Sequence, residues 1–102
     1  MNEAERMKIF LASLDPGNSV FLNELEKKAR REYIPIIRHE TQSVLRVLLT
    51  QTRPAEILEV GTAIGFSAIL MCENSEARIT TIENYEKRIE PARENFKKAG
   101  VS

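Results

Sequence analysis

The chain has 102 residues, enough for one small domain. Its 15 Lys and Arg balance 15 Asp and Glu, so no overall field selects a nucleic acid or a membrane surface. A single cysteine, Cys72, excludes an internal disulfide, and no apolar run is long enough to span a bilayer.

Residues 2–14 read as an amphipathic helix with Ala4, Met7, Leu11 and Leu14 on one stripe. Asp15-Pro16-Gly17-Asn18 is a turn, and Ser19 is placed to cap a second helix whose inward stripe is Leu22, Leu25, Ala29 and Tyr33. Pro35 ends that helix near Tyr33, because the residue before a proline is pushed out of the α region. A third helix spans about Glu40 to Gln51, with Val44, Leu45, Leu48 and Leu49 expected to face inward, and Arg53-Pro54 stops it. Lys27, Lys28, Arg30 and Arg31, with Arg38 and His39 further on, form a basic cluster. It reads first as a solvated helix face and second as a contact for an RNA backbone. His39 stands alone and reads as a surface or interface histidine, and Cys72 as a small core residue.

Glu56 to Val60 is the first strand, and its apolar character suits a parallel strand buried on both faces. A helix from Phe66 to Cys72 or Glu73 follows, then a second strand, Arg78 to Ile82. The last helix carries Ile89, Ala92, Phe96 and Ala99, with Gly100 as its C-terminal stop. Pro91 either begins that helix or kinks one already started.

The chemistry sits between the strands. Ile57-Leu-Glu-Val-Gly-Thr-Ala-Ile-Gly-Phe-Ser67 is an apolar run with an acid, Glu59, followed by Gly61-x-x-x-Gly65. The second strand ends in Glu83, 22 positions after Gly61 (83 − 61). Alone, two glycines at this spacing serve any tight strand-to-helix turn. With a buried strand before them and an acid at the end of the next strand, they mark a pocket for a nucleoside cofactor. Glycine admits a sharp backbone reversal and leaves room for a ligand. The helix N-terminus offers N–H groups to a carboxylate, Ser67 adds a hydroxyl, and Glu83 is placed to accept a ribose diol. A dinucleotide fingerprint would need glycine at positions 61, 63 and 66, and the chain has Gly61, Ala63 and Phe66. A P-loop fails as well, since no Gly-Lys-Ser/Thr follows.

At these residues the chain resembles the N-terminal half of a class I S-adenosylmethionine-dependent O-methyltransferase, of the bacterial family related to catechol and caffeoyl-CoA O-methyltransferases. Residues 57–68 resemble that family's first motif. Ile82-Glu83 with Ala92-Arg-Glu-Asn-Phe-Lys-Lys-Ala-Gly100 resembles its second. Residues 34–42 resemble its N-terminal segment, above all in the branch that methylates 5-hydroxyuridine in tRNA. The resemblance implies an α/β, Rossmann-like fold: a helical segment over 1–54 that caps the site and dimerises, then a βαβα unit over 55–102 with two parallel strands. It implies S-adenosylmethionine as cofactor, bound by Gly61, Ser67 and Glu83, with Glu59 near its amino end and Thr62, Ala63, Gly65 and Phe66 completing the loop. It also implies a divalent cation, Mg²⁺, whose ligands are expected outside this chain, together with the family's catalytic acids. No catalytic or metal-ligating residue is therefore assigned in the chain, and the chain by itself is expected to be inactive. The acceptor is a small hydroxyl compound or a tRNA base. The expected partner is a second copy, and the expected location the cytoplasm, because Asn2 to Arg6 are too polar for a signal peptide. Two alternatives stay open: a non-catalytic interaction or RNA-binding module built on the same front end, and another nucleotide-binding α/β enzyme, which Ala63 and Phe66 disfavour.

Overall fold

In a computed structural model that describes residues 1–101, five helices and two parallel strands follow the order α1 (Glu3–Leu14), α2 (Val20–Arg31), α3 (His39–Thr52), β1 (Glu56–Val60), α4 (Phe66–Glu73), β2 (Arg78–Ile82), α5 (Glu86–Ala99). This is the α/β, Rossmann-like half expected from the sequence. β1 and β2 pair in register from Glu56 opposite Arg78 to Val60 opposite Ile82. No helix among the described residues is long and apolar enough to cross a membrane.

One core joins the helical segment to the βαβα unit. Leu22, Leu25 and Ala29 of α2 pack against Ile64, Phe66, Ile69 and Leu70 at the start of α4. Leu22, Phe66, Ile69 and Leu70 are fully buried. Ser19 caps α2 by accepting the Leu22 N–H at 3.2 Å. Lys28, Arg30 and Arg31 in the last turn of α2 interact favourably with the negative end of its dipole.

Several inward stripes differ from the sequence expectation. Tyr33 has left the helix with φ of 55° and stands exposed, so the α2 stripe ends at Ala29. α1 buries none of its residues; Met7, Leu11 and Leu14 are all exposed. α3 turns Gln42, Arg46 and Leu49 inward with Leu45 beside them, while Val44 and Leu48 face outward. The true stripe of α3 contains two polar residues, and a reading by hydrophobicity passes over it.

Those polar residues are buried because they are paired. Arg46 Nη1 donates to both oxygens of Asp15 at 2.7 and 2.6 Å, and its Nη2 donates to Asn18. Ser43 donates to the same Asp15 carboxylate. Gln42 accepts from Asn18 and donates to Glu26 and to the Ile37 carbonyl. The turn at 15–18 is thereby tied to α3, and α3 to residue 37. His39 lies 3.9 Å from Asp15 with its side chain about half exposed, which places it at the surface.

β1 is not covered on both faces. Leu58 and Val60 are 66% and 80% exposed, while Ile57 and Glu59 point to the half-buried side. Pro91 lies inside α5, five residues after its first residue Glu86, so it does not begin that helix, which runs on without a break to Ala99. Ala92 and Asn95 are the buried positions of α5. Cys72 is half-buried, and burial together with the Glu73 charge pushes its thiol up, which keeps it protonated and inert.

The Asp15–Arg46 pair yields a stability prediction. Burial pushes the Asp15 carboxyl up, but the Ser43 hydroxyl, the Gly17 N–H and the Arg46 guanidinium outweigh it, and the group sits below the usual carboxylate range. A lowered folded-state value contributes stability above the unfolded value of about 3.9, lost as pH falls through the folded value. Asp15→Ala leaves the Arg46 charge buried without its partner and should cost about 3 kcal/mol or more at neutral pH. Chemical denaturation from pH 7 down to pH 2 should show the deficit shrinking at the acid end. A constant deficit would contradict the pairing.

Candidate functional site

Three residues with positive φ fall within five positions: Gly61 at 99°, Ala63 at 48° and Gly65 at 93°. The chain needs this geometry to leave the end of β1 and enter α4 almost at once. The loop's N–H groups are used to hold it. Gly61 and Thr62 both donate to the Ile82 carbonyl, at 2.8 and 3.2 Å, which extends the β1–β2 ladder into the turn. Gly65 donates to Thr62 at 2.9 Å. Ala63 donates to Glu83 Oε1 at 2.7 Å, and the other oxygen of Glu83 accepts the Tyr85 N–H at 2.9 Å.

Glu83 is therefore a structural strut of the glycine loop, a role the sequence reading did not assign. The N–H groups of Tyr85, Ala63 and Asn84 and the nearby Arg88 cation hold its carboxyl below the usual range against a smaller opposing effect of burial. A carboxylate oxygen has acceptor sites beyond one N–H bond, so the strut role leaves capacity for a ligand.

A second group of side chains crosses from β1 to the loop. Glu59 accepts from the Ser67 hydroxyl through one oxygen and from Thr81 through the other, at 2.7 Å in the latter case. Thr81 lies 2.5 Å from the Thr62 hydroxyl. None of the ion pairs among the described residues involves Glu59. Ser67, read as a ligand donor, is thus bonded inside the protein in this state.

The two glycines divide their roles. A Cβ at Gly61 would meet nothing within 4 Å, so the backbone there borders open space. A Cβ at Gly65 would lie 2.7 Å from Phe96 Cε1, and Gly65 is buried. Gly65 is thus a packing position for α5, in contrast to the ligand clearance expected for it. Asn95 fixes the same junction by donating to the Ile64 carbonyl at 2.8 Å. The sequence reading did not single it out, because its acceptor lies in another element 31 positions away.

Gly61, Thr62, Ala63, Phe66 and Ser67 line one cleft of about 220 Å³, with Pro35, Ile36 and Ile37 forming its opposite wall. Of the eight expected residues, these five share the cleft. Glu59 and Glu83 adjoin it through Ser67 and Ala63, and Gly65 stands behind it. α4 starts without a side-chain cap, so its first N–H groups have no side-chain acceptor. A larger groove of about 430 Å³ runs between α1 and α3. Its walls are mainly aliphatic, and it lies apart from the glycine loop and both acids, so the smaller cleft is the chemically equipped one. No three of the His, Cys, Asp and Glu side chains among the described residues gather at metal-binding distance.

Comparison with known proteins agrees with this geometry. Residues 12–102 match the O-methyltransferase family model. The chain is similar to a Podospora anserina methyltransferase solved with SAH bound, at 29% identity and TM-score 0.85 over 100% of this chain and 47% of that one. It is similar to a putative caffeoyl-CoA O-methyltransferase from Staphylococcus aureus, at 27% identity and TM-score 0.83 over 99% of this chain and 47% of that one. A Streptomyces achromogenes O-methyltransferase involved in tomaymycin synthesis, solved with SAM, matches at 26% identity and TM-score 0.76 over 99% and 48%. The fold and the glycine-loop site together define a class I methyltransferase front end. The chain belongs to the O-methyltransferase family, and it spans about half the length of these relatives.

The contrast between the glycines is testable. Both Gly61→Ala and Gly65→Ala place a side chain at positive φ, at about 1–3 kcal/mol. Only Gly65→Ala also collides with Phe96. Thermal melts should rank wild type above Gly61→Ala and Gly61→Ala above Gly65→Ala. Equal melting temperatures for the two variants would contradict the packing role.

Proposed function

We propose that this chain is the cofactor-binding portion of an S-adenosylmethionine-dependent O-methyltransferase that acts on a hydroxyl acceptor. The observation that carries the reading is the cleft itself, where five motif residues converge beside two acids in a chain of this family. The relatives solved with SAM or SAH support the same cofactor here. Its residues fit such a ligand. Gly61 borders open space, Glu59 has no cation partner among the described residues, and Glu83 retains free acceptor capacity.

When bound, S-adenosylmethionine supplies an electrophilic methyl group on a sulfonium sulfur. Glu83 accepts the ribose hydroxyls. Ser67 and the first N–H groups of α4 meet the ligand carboxylate, and Glu59 meets its ammonium. Thr62, Ala63 and Phe66, facing Pro35 to Ile37, exclude water along the wall, while Gly65 fixes the loop from behind. The side chains described here offer no fit for the family's Mg²⁺, so no step in this chain is assigned to it.

A small hydroxyl compound is the acceptor we favour. In the basic cluster, Lys27 pairs with Glu24 and Arg30 with Glu26, which lowers the positive charge left for an RNA backbone. The tRNA hydroxyuridine reading is supported by the likeness of residues 34–42 and by the exposed Lys28, Arg31 and Arg38. We further propose that copies of the chain associate as a homodimer and that they work in the cytoplasm. The exposed Leu58 and Val60 of β1, whose one partner among the described strands is β2, and the unburied apolar side chains of α1 support association.

Two measurements test these proposals. Calorimetric titration with S-adenosylhomocysteine should detect binding that Glu83→Ala weakens roughly tenfold or more, since charge-assisted bonds to the diol are lost. Unchanged affinity would remove the ribose assignment. Light scattering at micromolar concentration should report a dimer or larger species, and a monomer with a cooperative melt would overturn the association.

A further inference from the structure

We propose that Thr81 is a positioning residue for the ammonium end of the cofactor, acting through Glu59; the inference rests on the cofactor reading above. Thr81 sits in β2, outside the glycine motif, half-buried on the same side of the sheet as Glu59 across the β1–β2 register. Its hydroxyl donates to Glu59 Oε1 at 2.7 Å. A hydroxyl has one proton, so the 2.5 Å contact between Thr81 and Thr62 must run from the Thr62 hydroxyl to the Thr81 oxygen. The result is a directed chain: Thr62 to Thr81 to Glu59, with Ser67 donating to the other Glu59 oxygen.

The chain settles two properties of Glu59. First, both oxygens are pinned, so the carboxyl group stands in one orientation before any ligand arrives. Second, every partner is a neutral hydroxyl, and none of the ion pairs among the described residues involves Glu59. A charged partner would neutralise the acid, whereas hydroxyls orient it and leave its charge for a ligand cation. Ser67 is itself a cleft residue, and its bond to Glu59 is open to exchange when a ligand carboxylate enters. Thr81 is absent from the cleft wall, so its bond persists and becomes the one fixed protein restraint on the Oε1 side.

The test compares two ligands on the full chain by calorimetry: S-adenosylmethionine, which carries the ammonium, and methylthioadenosine, which lacks the amino-acid portion. Thr81→Val keeps shape and removes the hydroxyl. It should weaken S-adenosylmethionine roughly fivefold to tenfold, the loss of one hydrogen bond to a charged group, and leave methylthioadenosine unchanged. Thr81→Ser should restore the wild-type ratio of the two affinities. If Thr81→Val does not fold, Thr81→Ala gives the same comparison, and a Thr81→Ser protein with a lowered ratio would already overturn the proposal. Equal weakening of both ligands points to general loop damage and overturns it too. If the wild-type chain binds neither ligand, the cofactor reading falls and takes this inference with it. If the wild type binds both and Thr81→Val matches its ratio, only the positioning role falls.

Discussion

Everything in this fold that bears on function depends on holding a reversed backbone between β1 and α4. Three positive-φ residues fall within five positions, and at one of them, Ala63, a side chain makes that conformation unfavourable. The loop is over-determined from three directions. The Ile82 carbonyl takes two of its N–H groups, Glu83 takes a third, and Asn95 reaches the Ile64 carbonyl from α5. Two of these anchors come from the end of β2, so the parallel pairing of the strands is what puts the acid within reach of the glycines. A ligand that meets Glu83 therefore meets the same group that sets the loop's shape.

The sequence made the glycine loop legible because each of its parts has a local signature: an apolar strand, glycines at fixed spacing, an acid at the end of the next strand. All seven elements were legible for similar reasons, with caps and prolines marking their ends. The interior of α3 was not. Gln42 and Arg46 are inward because Asp15, Asn18, Glu26 and the Ile37 carbonyl pair with them, although Arg46 Nε itself is buried without a hydrogen-bond partner. Apart from the Ile37 carbonyl, these partners lie 16 to 31 positions away and cannot be read from periodicity. Asn95 escaped for the same reason, being a polar residue at a core position whose acceptor lies in another element. The division of labour between Gly61 and Gly65 was also hidden, since only the position of Phe96 distinguishes a clearance from a packing contact.

The helical segment bears on the cleft through residues 34–38, which are held in two ways. Gln42 donates to the Ile37 carbonyl, which fixes the segment 34–38 against α3. Ile34, Ile36 and Ile37 pack on the core that α2 shares with α4. The wall facing the glycine loop is thus built by the buried polar network as much as by the hydrophobic core. α1, by contrast, is joined to the rest mainly through Asp15, which explains how it can be well capped by Asn2 and still bury nothing.

The two acids of the candidate site occupy different electrostatic positions. Glu83 faces backbone N–H groups and the Arg88 cation, which hold it ionised, and its excess acceptor capacity suits neutral hydroxyls such as a diol. Glu59 faces hydroxyls only, which leaves its charge without a counter-ion and suits a cation. A ligand ammonium at Glu83 would sit near the Arg88 cation, whereas none of the ion pairs among the described residues involves Glu59. The difference between the two acids follows from the donors that surround them: backbone N–H groups at Glu83 and side-chain hydroxyls at Glu59.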